Sequence, residues 1–188
     1  MHDVREALKK DVYAAFIGDP ACTSYTEVIR CYPGFGAITV QRVAHVLYDS
    51  GAKVYSRELT ELAHMYTGVD IHPGAQIGDF FFIDHATGTV IGESSVIGSW
   101  CRLYQSVTIG ALHFKRDEIT GFVKKNYKRH PTLGNNVVVG SGAKVLGPIT
   151  IGDNVSIGAN SWIQEDVPDN TTVFIEEHPQ QVRKPKKV

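Results

Sequence analysis

Thirteen aliphatic residues, spaced by six, constrain this chain more than any other feature. Isoleucine, valine or leucine stands at 71, 77, 83, 91, 97, 103 and 109, and again at 133, 139, 145, 151, 157 and 163. The register breaks twice: two extra residues fall between 83 and 91, and a long excursion separates 109 from 133. Glycine follows the aliphatic residue at 78, 92, 98, 110, 134, 140, 152 and 158, and a small or apolar residue follows four places on at Ala75, Val107, Val137, Ala143, Val155 and Val167. A helix of 3.6 residues per turn cannot hold every sixth residue on one face. A coil with three flat sides can. Each hexapeptide then forms one side with its aliphatic residue inward, and the chain returns one rung higher, about 4.8 Å away. Thirteen matches make about four coils, enough to bury a continuous column. Strands of an ordinary sandwich do not keep one register over so many turns, and spacing alone leaves the handedness open.

The first 66 residues follow a different period. Val4, Leu8, Val12 and Phe16 recur at four, Ile38, Val43, Val46 and Leu47 mark a second helix before Gly51, and Leu59, Leu62 and Ala63 mark a third before Gly68. Asp19 before Pro20 signals a turn or helix start between the first two. The expected fold class is therefore mainly β with N-terminal α: a helical region over 1–66, a parallel β-helix of hexapeptide repeats over 67–170 with an excursion loop at 111–131, and a tail over 171–188.

Charge excludes some partners. Nineteen Lys and Arg balance twenty Asp and Glu at a formal net charge of -1, so no basic field points to nucleic acid. No apolar run is long enough for a membrane span, and MHDVREALKKD is charged where a secretory signal is apolar, so a cytoplasmic protein is expected. Cys22, Cys31 and Cys101 lack zinc-knuckle spacing and read as free thiols. Cys101 follows an inward aliphatic residue by four, which is a packing position.

Several segments carry a resemblance. GDPA at 18–21, VDIHPGAQIG at 69–78, FFIDHATGTVIGE at 81–93, QSVTIG at 105–110, KRHPTLGNNVVVGSGAKVLGPITIG at 128–152 and VSIGANSWIQEDVP at 155–168 resemble bacterial serine O-acetyltransferases. The resemblance implies a left-handed coil, a homotrimer with sites between neighbouring subunits, and acetyl transfer from acetyl-CoA to the hydroxyl of L-serine. It allows a hexamer, which longer relatives form through added N-terminal helices, and a partnership with O-acetylserine sulfhydrylase. Relatives dock there through a terminal isoleucine, where this chain has Val188.

A serine hydroxyl holds its proton near neutral pH, so a base must take that proton during attack. An imidazole oriented by a carboxylate suits the task. The resemblance makes His85 the base and Asp70 its partner; without it, His85 reads as a polar corner residue in solvent. By the same resemblance Asp19 and Asp84 bind the serine ammonium, and Arg129 and His130 hold its carboxylate and hydroxyl end. A zwitterion needs both poles, and arginine offers a planar fork for a carboxylate. Asp19 also reads as a helix cap, and Arg129 as one charge in a solvated loop. A backbone amide near Gly110 and Ala111 is expected to face the thioester oxyanion, Ala111 standing where the family usually has a second glycine. CoA is expected along the coil near Ala143 and Lys144. No metal is expected.

Two departures stand out. The excursion ALHFKRDEITGFVKKNYKRHP is longer than the family's Gly-rich loop and carries His113, Phe114, Phe122 and Tyr127, which suggests a lid whose deletion over 114–126 raises the acetyl-CoA Michaelis constant. The tail FIEEHPQQVRKPKKV replaces a Gly-Val-Pro-Ala segment. Three rival readings stay open: acetylation of a sugar, antibiotic, homoserine or other small hydroxyl acceptor; a trimeric zinc hydratase using His64, His72, His85 and His130; and a silent assembly module.

Overall fold

The computed structural model describes residues 2–176. Residues 177–188, with Val188 and the expectation attached to it, lie outside them. Four helices come first: α1 (His2–Gly18), α2 (Tyr25–Cys31), α3 (Pro33–Asp49) and α4 (Lys53–Thr67). Fourteen short strands follow among the described residues, numbered β1 to β14 along the chain and arranged as three parallel sheets. The first sheet stacks β1 (Asp70–Ile71), β4 (Val90–Ile91), β7 (Thr108–Gly110), β10 (Lys144–Leu146) and β13 (Trp162–Ile163). The second stacks β2 (Gln76–Ile77), β5 (Val96–Ile97), β8 (Thr132–Leu133) and β11 (Thr150–Ile151). The third stacks β3 (Phe82–Ile83), β6 (Arg102–Leu103), β9 (Val138–Val139), β12 (Ser156–Ile157) and β14 (Thr172–Val173). This is the left-handed parallel β-helix with a helical N-terminal region.

The six-residue period is what makes the stack. Ile71, Ile91, Ile109, Val145 and Ile163 pair rung to rung in the first sheet, and Ile83, Leu103, Val139 and Ile157 do so in the third. These residues are almost wholly buried, together with Cys101 and the alanines and valines of the fourth repeat position. Burying each isoleucine or leucine is worth about 1.5–3 kcal/mol against leaving it in water. Burial also drives the Cys101 thiol up to about 11, which leaves it protonated and inert.

Three corners join the sheets. At the corner between the second and third sheets, Asn136, Asn154 and Asn170 take positive φ, and their side-chain amides hydrogen-bond in a ladder. The two lower rungs replace asparagine by Phe80 and Trp100, also at positive φ, whose rings stack 3.9 Å apart at 5°. Left-handed backbone costs such side chains about 1–2 kcal/mol each. The aromatic stack and its edge contacts to Tyr13 of α1 offset that cost.

The helices dock through polar as well as apolar groups. Asp11 of α1 is buried, receives Arg42 Nε and Nη2 of α3 at 2.6 and 2.9 Å, and accepts the Phe81 amide at 2.9 Å. Arg42 also donates to the Ile77 and Gly78 carbonyls. Gly34 lets α3 lie on the coil, since a Cβ there would stand 2.2 Å from the Ile83 carbonyl. Two expectations about the helices need correction. Ser24 caps the additional helix α2, and Val46 and Leu62 face outward while Gln41, Ser56 and Thr60 are buried. The Ser56 and Thr60 hydroxyls bury by donating to carbonyls of their own helix, and Gln41 by donating to the Ala75 carbonyl of the coil.

Candidate active site

The first break in the hexapeptide register is where an acid and an imidazole enter the coil. From β3 to β4 the chain carries two residues more than from β6 to β7, and His85 and Ala86 occupy that corner at φ 57° and 69°. The Ala86 methyl turns into the core. The His85 side chain stands out with 70% of its surface exposed.

Asp84 turns the other way. It is buried, accepts Arg102 Nη2 at 2.5 Å through Oδ2, and presents Oδ1 3.9 Å from His85 Nε2. Arg102 Nη1 donates to the Gly18 carbonyl at 2.7 Å, which brings the turn after α1 against this corner. The next residue, Asp19, accepts the Tyr32 hydroxyl and the Ala21 amide. Those two bonds, Tyr32 first, hold the Asp19 carboxyl below its usual range, and the charge of Arg102 adds to them. Burial and the Asp19 bond push the Tyr32 hydroxyl well above its ordinary range, so it is a donor at every physiological pH. Asp19, Asp84 and His85 thus share one corner.

Asp70 sits one rung lower on the outer face of the first sheet, paired with Val90. Among the described residues its carboxylate meets Arg57 Nη1 of α4 at 3.3 Å and forms no hydrogen bond or ion pair with His85. Glu61, His64 and Asp70 place donor atoms within 4.8 Å of one another. Arg57 bridges Glu61 and Asp70 and supplies a compensating positive charge there.

Arg129 and His130 lie at a different corner, between the first and second sheets. Ser94 organises it: its hydroxyl accepts the amides of Arg129 and His130, while its own amide and hydroxyl both reach His130 Nδ1, at 3.0 and 2.9 Å. An oxygen that accepts two amides donates its proton to Nδ1, so the neutral ring carries its hydrogen on Nε2. His130 is 7% exposed, and burial, reinforced by the Arg129 charge, lowers its pKa to about 4. Gly92 makes room for the ring, since a Cβ at that position would lie 2.2 Å from it. Arg129 Nη2 donates to Glu93 Oε2 at 2.5 Å, and the Tyr48 hydroxyl donates to Glu93 Oε1 at 3.1 Å. Although burial opposes them, these bonds keep the Glu93 carboxyl below its usual range. Beside this corner, Tyr48, Arg57, Glu61, His72 and Glu93 line a cavity of about 630 Å³ under α4.

The acyl-donor candidates follow the first sheet upward. Gly110 ends β7 and its carbonyl accepts the Gly147 amide, while the Ala111 amide meets no acceptor among the described residues. Ala143 is buried with its amide on Gly140 and its carbonyl on Thr108. Lys144 faces outward and donates to the Ser106 carbonyl at 2.5 Å. Strand register aligns Asp70, Val90, Thr108, Lys144 and Trp162 in one outward column.

The supports of both corners were missed by sequence reasoning. Ser94, Glu93, Tyr48, Tyr32 and Arg102 each act through residues distant in sequence. One signal was readable: Ser24 followed three places on by Glu27 reads as a capping box, of which the Ser24 Oγ half forms, while the Glu27 carboxylate accepts the amide and hydroxyl of Thr23 instead of the Ser24 amide.

The coil is the class of fold that hexapeptide repeats build. Residues 130–164 match the bacterial transferase hexapeptide (six repeats) family model. The chain is 50% identical over 166 residues to a plasmid-encoded serine acetyltransferase of Synechococcus elongatus, covering 88% of this chain and 52% of that protein. It is 46% identical to the serine acetyltransferase of Mycobacterium tuberculosis, covering 89% of this chain and 69% of the relative. Serine acetyltransferase isoform 3 of Entamoeba histolytica, solved in complex with cysteine, superposes with a TM-score of 0.86 at 53% identity, over 97% of this chain and 62% of that one. The chain therefore belongs to the serine acetyltransferase family, and it spans about half to two thirds of the length of the first relatives it matches.

Proposed function

We propose that the chain transfers acetyl from acetyl-CoA to the hydroxyl of L-serine, giving O-acetylserine and CoA, at sites shared between copies in a homotrimer. One observation carries the shared-site reading: Asp84 and His85 stand at one edge of the first sheet and Arg129 and His130 at the other. About five extended residues separate the two corners, roughly 15 Å. A serine molecule cannot span that distance, whereas a neighbouring copy can place one corner against the other.

In this reading the ammonium lies between Asp19 and Asp84, and the carboxylate meets Arg129. His130 donates its Nε2 hydrogen to the substrate's oxygen end. His85 takes the hydroxyl proton as the oxygen bonds to the thioester carbon, with Asp70 orienting the ring. The Ala111 amide receives the developing oxyanion. Collapse breaks the carbon–sulfur bond, and the imidazolium returns its proton to the departing CoA thiolate. Arg57 meets Asp70 Oδ1 at 3.3 Å, and Oδ2 is left for the ring, having no partner among the described residues. The outward column suits CoA: three rungs, about 14 Å, separate Asp70 from Lys144, and an extended amide-linked pantetheine arm of about four residue equivalents spans a similar length. Lys144 then meets phosphate and Trp162 underlies the adenine. The excursion forms an antiparallel turn around Arg116 and Val123 that exposes Phe114, Ile119 and Phe122, a shape suited to a lid over the junction.

The decisive assay follows thiol release from acetyl-CoA with L-serine, homoserine and sugar acceptors side by side. Serine-dependent release, with O-acetylserine identified as product, is the expected result. Release with another acceptor and none with serine refutes the assignment.

A further inference from the structure

The reaction chemistry leaves Arg102 without a role, yet it bonds one candidate ammonium-binding carboxylate, Asp84, and the backbone carbonyl of Gly18 beside the other, Asp19. It lies on the outer face of the third sheet, one rung above Phe82. Nη2 donates to Asp84 at 2.5 Å, and Nη1 donates to the Gly18 carbonyl, 84 residues away in sequence, at 2.7 Å. The guanidinium lies over the Phe82 and Tyr104 rings, 5.0 and 4.7 Å from their centroids. Its Nε is buried with no partner among the described residues, so the side chain keeps this position at the cost of one unmade hydrogen bond.

We infer that Arg102 is a positioning residue that sets the geometry and charge of the ammonium subsite. The inference rests on the serine reading above. Arg102 occupies Asp84 Oδ2 and leaves Oδ1 facing the corner where His85 stands. Through Gly18 it draws the α1–α2 turn onto the coil, so Asp19 reaches the same corner. Two carboxylates and one guanidinium sum to a single negative charge, which matches one ammonium. Without the guanidinium, the two carboxylates repel and the turn loses its tie to the coil. Lysine carries the charge but lacks a flat fork that can serve two acceptors while lying on two rings.

The test compares the full chain with R102M and R102K, using L-serine and 3-hydroxypropionate, which keeps serine's hydroxyl and carboxylate but lacks the ammonium. In R102M the serine Michaelis constant is expected to rise about 10- to 100-fold, as for loss of charge-assisted hydrogen bonds. Turnover at saturating serine, the acetyl-CoA Michaelis constant and kcat/KM for 3-hydroxypropionate stay within about threefold, and R102K recovers part of the serine affinity. An unchanged serine constant in R102M, or equal losses for both acceptors, overturns the inference. Should R102M fail to fold, R102K decides: a serine-only weakening of several-fold supports the role, and wild-type values refute it. A wild-type chain that acetylates other hydroxyl compounds but not serine sinks the serine reading first, and this inference with it.

Discussion

The two corners of the first sheet differ in how complete they are. At the Ser94 corner the charged groups are paired and one donor is kept free: Arg129 sits on Glu93, Glu93 also holds Tyr48, and His130 is buried with Nδ1 engaged by Ser94 and Nε2 without a partner among the described residues. At the Asp84 corner the supports are equally firm, but His85 projects into solvent and the oxygen opposite it is uncommitted. One corner is closed by its own bonds; the other leaves an exposed imidazole and a carboxylate oxygen free. Rigid charge suits binding a carboxylate, whereas a base needs access to a proton that arrives with the substrate. The contrast is what a site assembled from two copies requires.

The largest expected effect falls on the open corner. His85→Ala should lower kcat by about 10²- to 10⁴-fold with little change in either Michaelis constant, the pattern of a lost general base. Steady-state kinetics that keep activity within a few-fold of wild type remove His85 from the mechanism. Next in size is the closed corner, where Arg129→Ala should raise the serine Michaelis constant by about 10- to 100-fold and leave that of acetyl-CoA alone.

The closed corner should also show itself in stability. His130 has a folded pKa of about 4 against an ordinary value of 6.5, so between those limits the unfolded chain binds a proton that the folded chain refuses. Stability contributed by the neutral buried ring is therefore complete above pH 6.5 and falls as pH drops toward 4, by on the order of 2–3 kcal/mol. Denaturant unfolding across that range should show the slope, and His130→Asn should flatten it; identical slopes would mean the ring is not buried neutral. The smallest effect belongs to the donor column. Trp162→Ala should raise the acetyl-CoA Michaelis constant about 5- to 10-fold through lost stacking. Acetyl-pantetheine, which lacks the adenine, should be handled equally by both forms.

The coil was legible because its period is a repeated statement: all thirteen aliphatic positions fall in strands, and the one short break in spacing is the corner that carries His85. The helices were less legible. Periodicity put Val46 and Leu62 on buried faces, but Gln41, Ser56 and Thr60 are buried instead, Gln41 on the Ala75 carbonyl of the coil and the two hydroxyls on carbonyls of their own helix, partners that hydropathy does not mark. The supports were illegible for a third reason. Arg102 reaches Gly18 and Asp84, and Ser94 reaches His130, only after the coil has wound, so no local pattern marks them.

The central claim is that His85 and Arg129 of different copies serve one serine molecule, and subunit mixing tests it directly. H85A and R129A chains, each nearly inactive at serine well below saturation, are refolded together at equal amounts. In a closed ring with random mixing, about one junction in four receives an intact corner from each neighbour, so the mixture should regain about a quarter of wild-type activity. A mixture no more active than its separate components would place the whole site within one chain and contradict the account.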